Sequence, residues 1–448
     1  MVKYIINSYL ALGGIVMQKK LANELIDFLY NSPTAYHAAS SVKEILDKEG
    51  FEELFESDSW KVKKGGKYYL KKNDSAVIAF TVGNGEIEKD GFRLIGAHTD
   101  APGFKIKPNA EMVGENHYLK LNTEVYGGPI LYTWFDRPLG IAGRVIVKGK
   151  SALKPEVKLV NINKPVLVIP SLAIHMNRSV NEGYEFNKQK DTLPLAGFVN
   201  ESLEKEDLLL NLITEELGVN KEDILDFDLF LYEFEKGCIM GVNEEFISAG
   251  KLDDQWMVFA GIKALINSSD IDATKVMICI DNEEIGSLTA QGANSNLIRR
   301  TLERIAIALD KNTEEFFRAL SNSIMISADL AHAVHPNLPE KHDPTNRPVL
   351  GNGPVLKIAA SGSYSTEGVA AGIFEAVCKE ANVPMQKFVN RSDVKGGTTI
   401  GPMSAADLCI PVVDMGAPIL GMHSVRELAT VKDNFYSVEA FTKFFSLN

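Results

Sequence analysis

Apolar residues along this chain of 448 residues follow two different spacings, and the spacing changes twice. After residue 250, segments with helical spacing alternate with short apolar runs such as Val276–Ile280. From about residue 109 to 240, short β-rich pieces separated by turn residues dominate instead. Helices that alternate with buried strands are typical of a sheet covered by helices. The pattern therefore predicts an α/β domain that is built from both ends of the chain and is interrupted by a β-rich insert.

The same pattern predicts individual elements. Before the insert we expect helices within 21–49, divided by the turn at 31–34, and strands at 67–70, 76–80 and 92–96. Within the insert we expect strands at 118–121, 131–135, 143–147 and 166–170, followed by a charged, exposed helical stretch at 201–226. After it we expect helices at 257–266, 296–309 and 368–381 and strands at 276–280, 324–327 and 410–414. The predicted domains are 17–108 plus 241–448 for the α/β part and 109–240 for the insert.

Residues 1–16 do not fit either domain. The apolar stretch from Tyr4 to Val16 is too short to span a bilayer, and no small-residue cleavage site of a signal peptide follows it. Met17 opens a polar segment and then a helix-like pattern. We interpret residues 1–16 as an extension, either a start assigned upstream of Met17 or a short added helix.

Charge and cysteine content narrow the class of protein. The net charge is −12 and no basic run is present, so we expect neither nucleic acid nor a membrane as a partner. The four cysteines contain no Cys-x-x-Cys pair, and we expect buried, reduced thiols and a cytoplasmic location. These cysteines are Cys238, Cys279, Cys378 and Cys409.

Two adjacent carboxylates, Glu283 and Glu284, follow the apolar run that ends at Ile280. Active sites of open α/β sheets gather just beyond such strand ends. Side chains of adjacent residues in an extended segment point in opposite directions, so one carboxylate could bind a metal while the other holds a water molecule. Five candidate ligands lie in separate segments, four of which follow predicted strands: His98, Asp253, Glu284, Asp329 and His423.

With one shared carboxylate, these five residues would give each of two divalent metals three protein ligands. Nitrogen and oxygen ligands without thiolates favour Zn²⁺, with Co²⁺ or Mn²⁺ as substitutes. Each residue taken alone is more often a turn, cap or structural residue. The chain has no Gly-x-Gly-x-x-Gly, Walker or Gly-x-Ser-x-Gly phrase. The residues by themselves therefore leave a dinuclear metal site and ordinary structural roles both open.

Six phrases occur in one order along the chain: Ser32–Ala38, His98–Pro102, Leu252–Asp254, Asp281–Ser287, Ser327–Asn337 and Met422–Ser424. Together they resemble the aspartyl aminopeptidase family of dinuclear zinc exopeptidases, from about residue 18 to the C-terminus. The resemblance implies a mixed sheet flanked by helices, with an inserted dimerisation domain. It also implies two Zn²⁺ per subunit and the removal of N-terminal residues from peptides, with Asp and Glu as preferred residues.

The resemblance also implies residue roles. Asp253 corresponds to the ligand that bridges both metals, and a cis peptide joins it to Asp254 in relatives. Glu283 corresponds to the general base, and Asp100 to the carboxylate that orients the His98 imidazole. The remaining ligands would be His98 and Asp329 on one zinc, and Glu284 and His423 on the other. The implied substrate contacts are His175 (from a neighbouring subunit), His332, Lys357 and Tyr364.

Relatives of this kind assemble as tetrahedral homododecamers, which the resemblance implies here through the insert. The segment from Ile358 to Ser363 departs from the version in some relatives, so a broader specificity stays open beside an acidic one. Two other functions are weighed against this one. A related dinuclear metallohydrolase, such as a deacylase or carboxypeptidase, would use the same ligands, whereas a catalytically silent scaffold would be expected to have lost a ligand or the base.

Overall fold

A computed structural model of the chain describes residues 2–199 and 208–448. The chain divides into two compact units, and the first contains Met1–Asp100, Gly237–Met422 and Glu427–Asn448. The second contains Ala101–Lys236 and His423–Arg426. The domain limits at 108/109 and 240/241 stay a prediction.

Helices and strands of the first unit occupy both ends of the chain. Before the second unit they are α1 Val2–Asn31, α2 Ala35–Lys48, β1 Glu52–Glu53, β2 Lys67–Lys72, β3 Ala76–Thr81, α3 Ile87–Asp90 and β4 Phe92–His98. Those of the second unit are β5 Gly103–Gly114, β6 Tyr118–Tyr126, β7 Leu139–Ser151, β8 Lys154–Leu167, β9 Leu195–Phe198, α4 Leu208–Leu217 and β10 Ile224–Glu233.

The first unit then resumes. Its further elements are β11 Cys238–Met240, β12 Phe246–Ala249, α5 Leu252–Asn267, β13 Thr274–Ile280, α6 Leu297–Ala308, α7 Thr313–Ser321, β14 Ile324–Ala328, β15 Ala331–His332, β16 Val355–Lys357, α8 Gly368–Glu380, β17 Gln386–Phe388, α9 Ile400–Leu408, β18 Val412–Gly416, β19 Pro418–Ile419, β20 Glu427–Thr430 and α10 Val431–Phe444.

A nine-stranded mixed sheet forms the centre of the first unit, in the order β1-β2-β3-β13-β4-β14-β18-β16-β17. Its middle strands β13, β4, β14 and β18 are mutually parallel, which brings their carboxyl ends to the same edge. The sheet carries a hydrophobic core on each face. In β3, Val77 and Ala79 belong to one core while Ile78 and Phe80 belong to the other, as expected for a strand buried on both sides.

The second unit contains a six-stranded antiparallel sheet, in the order β8-β7-β10-β5-β6-β9. Val168, which follows β8, exchanges backbone hydrogen bonds with Leu195 of β9, at 3.1 and 2.7 Å. This pairing joins the two edges of the sheet, so the sheet curves around its own apolar core.

The predicted α/β architecture is confirmed, and three local predictions are wrong. Residues 131–134 form a 3₁₀ turn rather than a strand, because the Thr133 hydroxyl donates to the Ile130 carbonyl at 2.7 Å and this local bond competes with strand pairing. The helical stretch predicted at 201–226 lies partly outside the described residues. Within its described part, Leu208–Leu217 forms the helix α4, Lys221–Asp223 forms a 3₁₀ turn, and from Ile224 onwards the chain is the strand β10.

The third correction concerns the cysteines. Cys279 and Cys378 are buried as expected, but Cys238 and Cys409 are exposed. Cys409 lies at the end of α9 in the left-handed conformation, where the chain turns out of the helix.

At the N-terminal end of the chain, α1 begins at Val2. None of the helices within the described residues combines the length and the apolar character that crossing a lipid bilayer requires.

Candidate metal centre

Three adjacent parallel strands supply the candidate ligands on the central sheet. His98 is the last residue of β4 and pairs in register with Ile280, the last residue of β13. Glu283 follows β13 after a two-residue turn, and Asp329 directly follows β14 on the other side of β4. The parallel register therefore brings these side chains to one edge of the sheet, as the sequence predicted.

The Glu283–Glu284 pair lies in a 3₁₀ turn, so the expectation of an extended segment is wrong. Asn282 adopts the left-handed conformation at φ 64° and reverses the chain just after β13. The backbone N–H groups of Glu283 and Glu284 both donate to the carboxylate of Asp100, each at 3.2 Å. Asp100 thus fixes the turn that presents both carboxylates.

His98 is buried at the centre of this group. Its Nε2 lies 3.6 Å from Oδ1 of Asp253 and 4.0 Å from Oε2 of Glu283, while its Nδ1 lies 3.3 Å from Oδ1 of Asp100. Nδ1 also lies 3.1 Å from the backbone carbonyl oxygen of Asp100, and an imidazole held at Nδ1 by such oxygens presents Nε2 for coordination. The position of Asp100 therefore fits the orienting role that the resemblance implies.

Asp253 and Asp254 begin helix α5 with non-helical backbone angles, and the peptide bond between them is cis. Oδ2 of Asp254 accepts the backbone N–H of His98 at 3.1 Å. The backbone N–H of Asp253 donates to Oε2 of the buried residue Glu427 at 3.0 Å. The start of α5 is therefore tied both to the end of β4 and to β20.

Lys357 and Tyr364 lie next to Asp329. The Lys357 ammonium is 3.4 Å from Oδ1 of Asp329 and 5.5 Å from the centre of the Tyr364 ring. Both side chains are largely buried. His332, three residues beyond Asp329 in the strand β15, is exposed and its ring lies 5.9 Å from that of Phe388. The structure therefore brings Lys357 and Tyr364 to the metal-ligand group.

Two predicted site residues belong to the second unit. Nδ1 of His423 lies 3.0 Å from the Gly128 carbonyl oxygen, and the His423 carbonyl accepts the Ile130 N–H at 2.9 Å. His175 is exposed in a turn of the same unit. The roles of His423 as a ligand and of His175 as a contact in trans stay predictions.

The electrostatics of the first-unit residues reflect buried carboxylates in close contact. Burial raises the pKa of Glu283 to about 7, and nearby carboxylates add to the effect. Burial likewise raises the pKa values of Asp254 and Asp329. Burial alone would lower the pKa of His98, but the surrounding carboxylates raise it well above the ordinary value. Such a cluster has an excess of negative charge that a cation would offset.

The donor set fits a zinc ion. One atom each from His98, Asp253 and Asp329 lie within 4.8 Å of one another, as do atoms of His98, Glu283 and Glu284. Imidazole nitrogen and carboxylate oxygen are ligands that Zn²⁺ accepts. Within the described residues, Oδ1 of the fully buried Asp254 also has no hydrogen-bond partner, which marks a buried site with more negative charge than its protein donors satisfy.

Comparison with known proteins identifies the family. Residues 28–445 match the model of the family described as aminopeptidase I zinc metalloprotease (M18). The chain is 58% identical over 428 residues to a probable M18 family aminopeptidase 2 of Clostridium novyi, covering 96% of this chain and 99% of the relative. It is 40% identical over 432 residues to a protein of the same name from Ectopseudomonas mendocina, covering 96% and 99%. The chain belongs to the M18 family.

Solved structures agree with this M18 assignment. The yeast aminopeptidase 1 crystal structure superposes with a TM-score of 0.84 at 31% identity, covering 96% of this chain and 97% of that one. A chain from the complex of Ape4 and Nbr1 superposes with a TM-score of 0.92 at 36% identity, covering 96% and 86%. The predicted family, the fold and the zinc aminopeptidase class are therefore confirmed.

Sequence reasoning missed two buried acidic residues of this M18 chain. Glu427 holds the backbone of Asp253, and Asp414 lies on β18 beside the residues predicted to contact substrate. Glu427 follows His423 by four residues and could have been noticed as a carboxylate near a candidate ligand. Asp414 ends the apolar run Ile410–Val413, and only its depth in the folded sheet distinguishes it from a strand-end turn residue.

Proposed function

We propose that this chain removes N-terminal residues from peptides at a centre of two zinc ions, with Asp and Glu as favoured residues. The observation that carries the proposal is the group of His98, Asp253 and Asp329, whose ligand atoms lie within 4.8 Å of one another. Glu283 lies beside this group, with Oε2 4.0 Å from Nε2 of His98. A carboxylate next to a metal-ligand group is suited to proton transfer at the metal site.

In this proposal His98, Asp253 and Asp329 would hold one ion, and Asp253, Glu284 and His423 would hold the other. Bound zinc would polarise the scissile carbonyl and acidify a water molecule. Co²⁺ and Mn²⁺ are expected to substitute, because they accept the same donor types.

Glu283 would accept the proton of the attacking water and then donate it to the nitrogen of the leaving peptide, so that one carboxyl serves both steps. His332 would donate to the oxyanion that develops on the carbonyl oxygen. Asp100 would keep both histidine and glutamate in place, since it contacts His98 and the backbone of the Glu283 turn.

Lys357 and Tyr364 would select the N-terminal side chain of the peptide. The lysine ammonium is buried beside Asp329, where a substrate carboxylate would meet a partly desolvated cation. This buried cation is the reason why we propose Asp and Glu as the favoured N-terminal residues of the substrate.

We further propose self-association through the β-rich unit into a tetrahedral dodecamer, with His175 reaching a neighbouring active site. Support comes from the structure of the S. cerevisiae mApe1 dodecamer, which superposes on this chain with a TM-score of 0.82 at 32% identity, covering 95% of this chain and 96% of that one. Exposed apolar side chains around His175 add support, because such groups gain most from burial between subunits. They are Leu172, Ile174 and Met176.

A panel of reporters tests the proposed activity. Aspartyl-, glutamyl-, alanyl- and leucyl-anilides and N-acyl amino acids would be offered to the purified protein before and after chelation, and after adding back Zn²⁺, Co²⁺ or Mn²⁺. We expect anilide hydrolysis that chelation abolishes and metal restores, fastest for the acidic residues. Hydrolysis of N-acyl amino acids alone would replace the proposal with a deacylase, and activity that survives complete metal removal would contradict it.

A further inference from the structure

Asp414 is a buried carboxylate outside the proposed set of metal ligands. It lies on β18, where it pairs in register with Ser327 of β14. Its Oδ2 accepts hydrogen bonds from the backbone N–H of Ser365 at 2.5 Å and from the Ser365 hydroxyl at 2.9 Å. Its Oδ1 accepts the hydroxyl of Thr399 at 2.6 Å. A fully buried carboxylate therefore receives three hydrogen bonds from two other segments.

The backbone of Asp414 strengthens one of these attachments. Its N–H donates to Oγ1 of Thr366 at 2.8 Å, and the Thr366 hydroxyl lies 3.3 Å from its carbonyl oxygen. A hydroxyl can donate and accept at once, so both contacts can form together. Hydrogen bonds of a single residue, Asp414, therefore hold both Ser365 and Thr366 against β18: its side chain contacts Ser365 and its main chain contacts Thr366.

The segment that Asp414 holds contains one predicted substrate contact, Tyr364, and adjoins another, Lys357. It starts directly after Lys357, contains Tyr364 next to Ser365, and leads into α8 at Gly368. Before the attachment point, Ser361 and Gly362 are exposed. A glycine-containing stretch has many accessible conformations, so an attachment on its far side is needed to give Tyr364 one position.

Thr399 connects a second loop to the same carboxylate. Its hydroxyl also accepts the N–H of Gly401 at 3.3 Å, which caps the start of α9. The preceding Thr398 donates its hydroxyl to the Ser363 carbonyl at 3.1 Å. Asp414 therefore lies where β18, the Tyr364 loop and the start of α9 meet.

The packing of this junction is close. A Cβ atom at Gly401 would lie 2.4 Å from Oδ1 of Asp414 and 2.6 Å from the Ser365 hydroxyl. The Asp414 charge also acts on Lys357. Burial alone would lower the pKa of that lysine, while Asp329 and Asp414 are among the groups that raise it.

We propose that Asp414 is a positioning residue for substrate selection, because it fixes the loop that carries Tyr364 against β18 and so sets the Lys357–Tyr364 pair. The inference rests on the proposed function, in which that pair selects the N-terminal side chain. Asp414 is not expected to touch the substrate.

Two substitutions remove one attachment each without changing the charge: Ser365→Ala and Thr399→Val. Ser361→Ala is the matched control, because its hydroxyl is exposed in the same loop and bonds only to Ser363 among the contacts described for it. We expect both test variants to shift the ratio of kcat/KM between aspartyl- and leucyl-anilide about tenfold, mainly through KM, as loss of a hydrogen bond to a charged group predicts. Zinc content and the control ratio should not change.

Gly401→Ala provides a second route, since it keeps every hydrogen-bonding group but separates Asp414 from Ser365. It should shift the same ratio, whereas the single variant Ser365→Thr, which retains the hydroxyl, should stay closer to the wild-type ratio than Ser365→Ala does. Wild-type-like ratios in folded, zinc-loaded Ser365→Ala, Thr399→Val and Gly401→Ala proteins would overturn the inference while leaving the proposed function intact. A wild-type protein inactive on every anilide in the presence of metal would overturn both.

Discussion

At the scale of single residues, Asp100 joins the two chemical roles of the site. Its carboxylate lies 3.3 Å from Nδ1 of His98 and accepts the N–H groups of Glu283 and Glu284. One side chain thus sets the direction of an imidazole and the position of two neighbouring carboxylates. Displacing it would disturb both, which is why residues behind metal ligands matter to metal affinity.

Glu283 can be tested separately from metal binding. We expect Glu283→Gln to lower kcat by about 10²–10⁴-fold, because the amide cannot accept and return a proton. Zinc content should stay at the wild-type level, since Glu283 is not a proposed ligand. Single-turnover kinetics and metal analysis on the same sample provide the measurement, and Glu284→Gln, which should lose metal, is the comparison. Near-native turnover of the Glu283 variant with metal bound would reject the assigned base.

At the scale of elements, the contact between β18 and the end of β14 positions Asp329. The Asp329 N–H donates to the Met415 carbonyl at 2.9 Å. A Cβ atom on the next residue, Gly416, would lie only 1.8 Å from the Asp329 carbonyl oxygen. Because the obstacle is backbone, relief requires the main chain of Asp329 or that of β18 to shift, and either shift changes the contact between them.

We therefore expect Gly416→Ala to lower both zinc content and the melting temperature, with destabilisation of about 1–3 kcal/mol as in other overpacked sites. Gly397→Ala is the control, because a Cβ there meets no atom within 4 Å. Thermal unfolding and metal analysis measure the two effects. A Gly416→Ala protein with full zinc content would show that this contact does not position the ligand.

Glu86, just before α3, makes contacts with two lysines whose contribution to the stability of the fold depends on pH. Hydrogen bonds from Lys311 and then Lys64 lower its pKa to about 2. A lowered folded-state pKa gives stability that is present above the unfolded value near 4.5 and is lost as the pH falls towards 2.

Glu86→Gln should therefore lower the melting temperature at pH 7, and the difference from wild type should narrow as the pH falls below about 4.5. Glu314→Gln, whose carboxylate is 3.9 Å from Arg318 and mostly exposed, should have little effect at any pH. Melting curves of the three proteins over this pH range make the comparison. A Glu86→Gln difference that does not vary with pH would contradict the assignment.

At the scale of the whole molecule, the proposed dodecamer makes His175 a shared residue. We propose that His175 helps His332 to stabilise the oxyanion, so His175→Phe should lower turnover by about 10²-fold, while light scattering shows an intact oligomer. His117→Phe is the control, because His117 is another exposed histidine of the same unit and its ring stacks on Phe198 at 4.7 Å. Unchanged activity of an intact His175→Phe oligomer would reject the shared site.

Most strands and helices of the first unit and the family of this protein could be predicted from the sequence, because apolar periodicity and short ligand phrases are local. The strand at 92–96 just before His98, the strand end at Ile280 and the phrase around Asp329 could all be identified in this way. The conformation of Glu283 could not, since it depends on the left-handed turn at Asn282 and on Asp100, 183 residues away in the chain. Only the tertiary structure revealed Asp414, because its hydrogen bonds reach across 49 and 15 residues and its burial depends on the completed sheet. Contacts of that separation leave no periodic trace in the sequence, and in our proposal they decide how the predicted substrate contact Tyr364 is held.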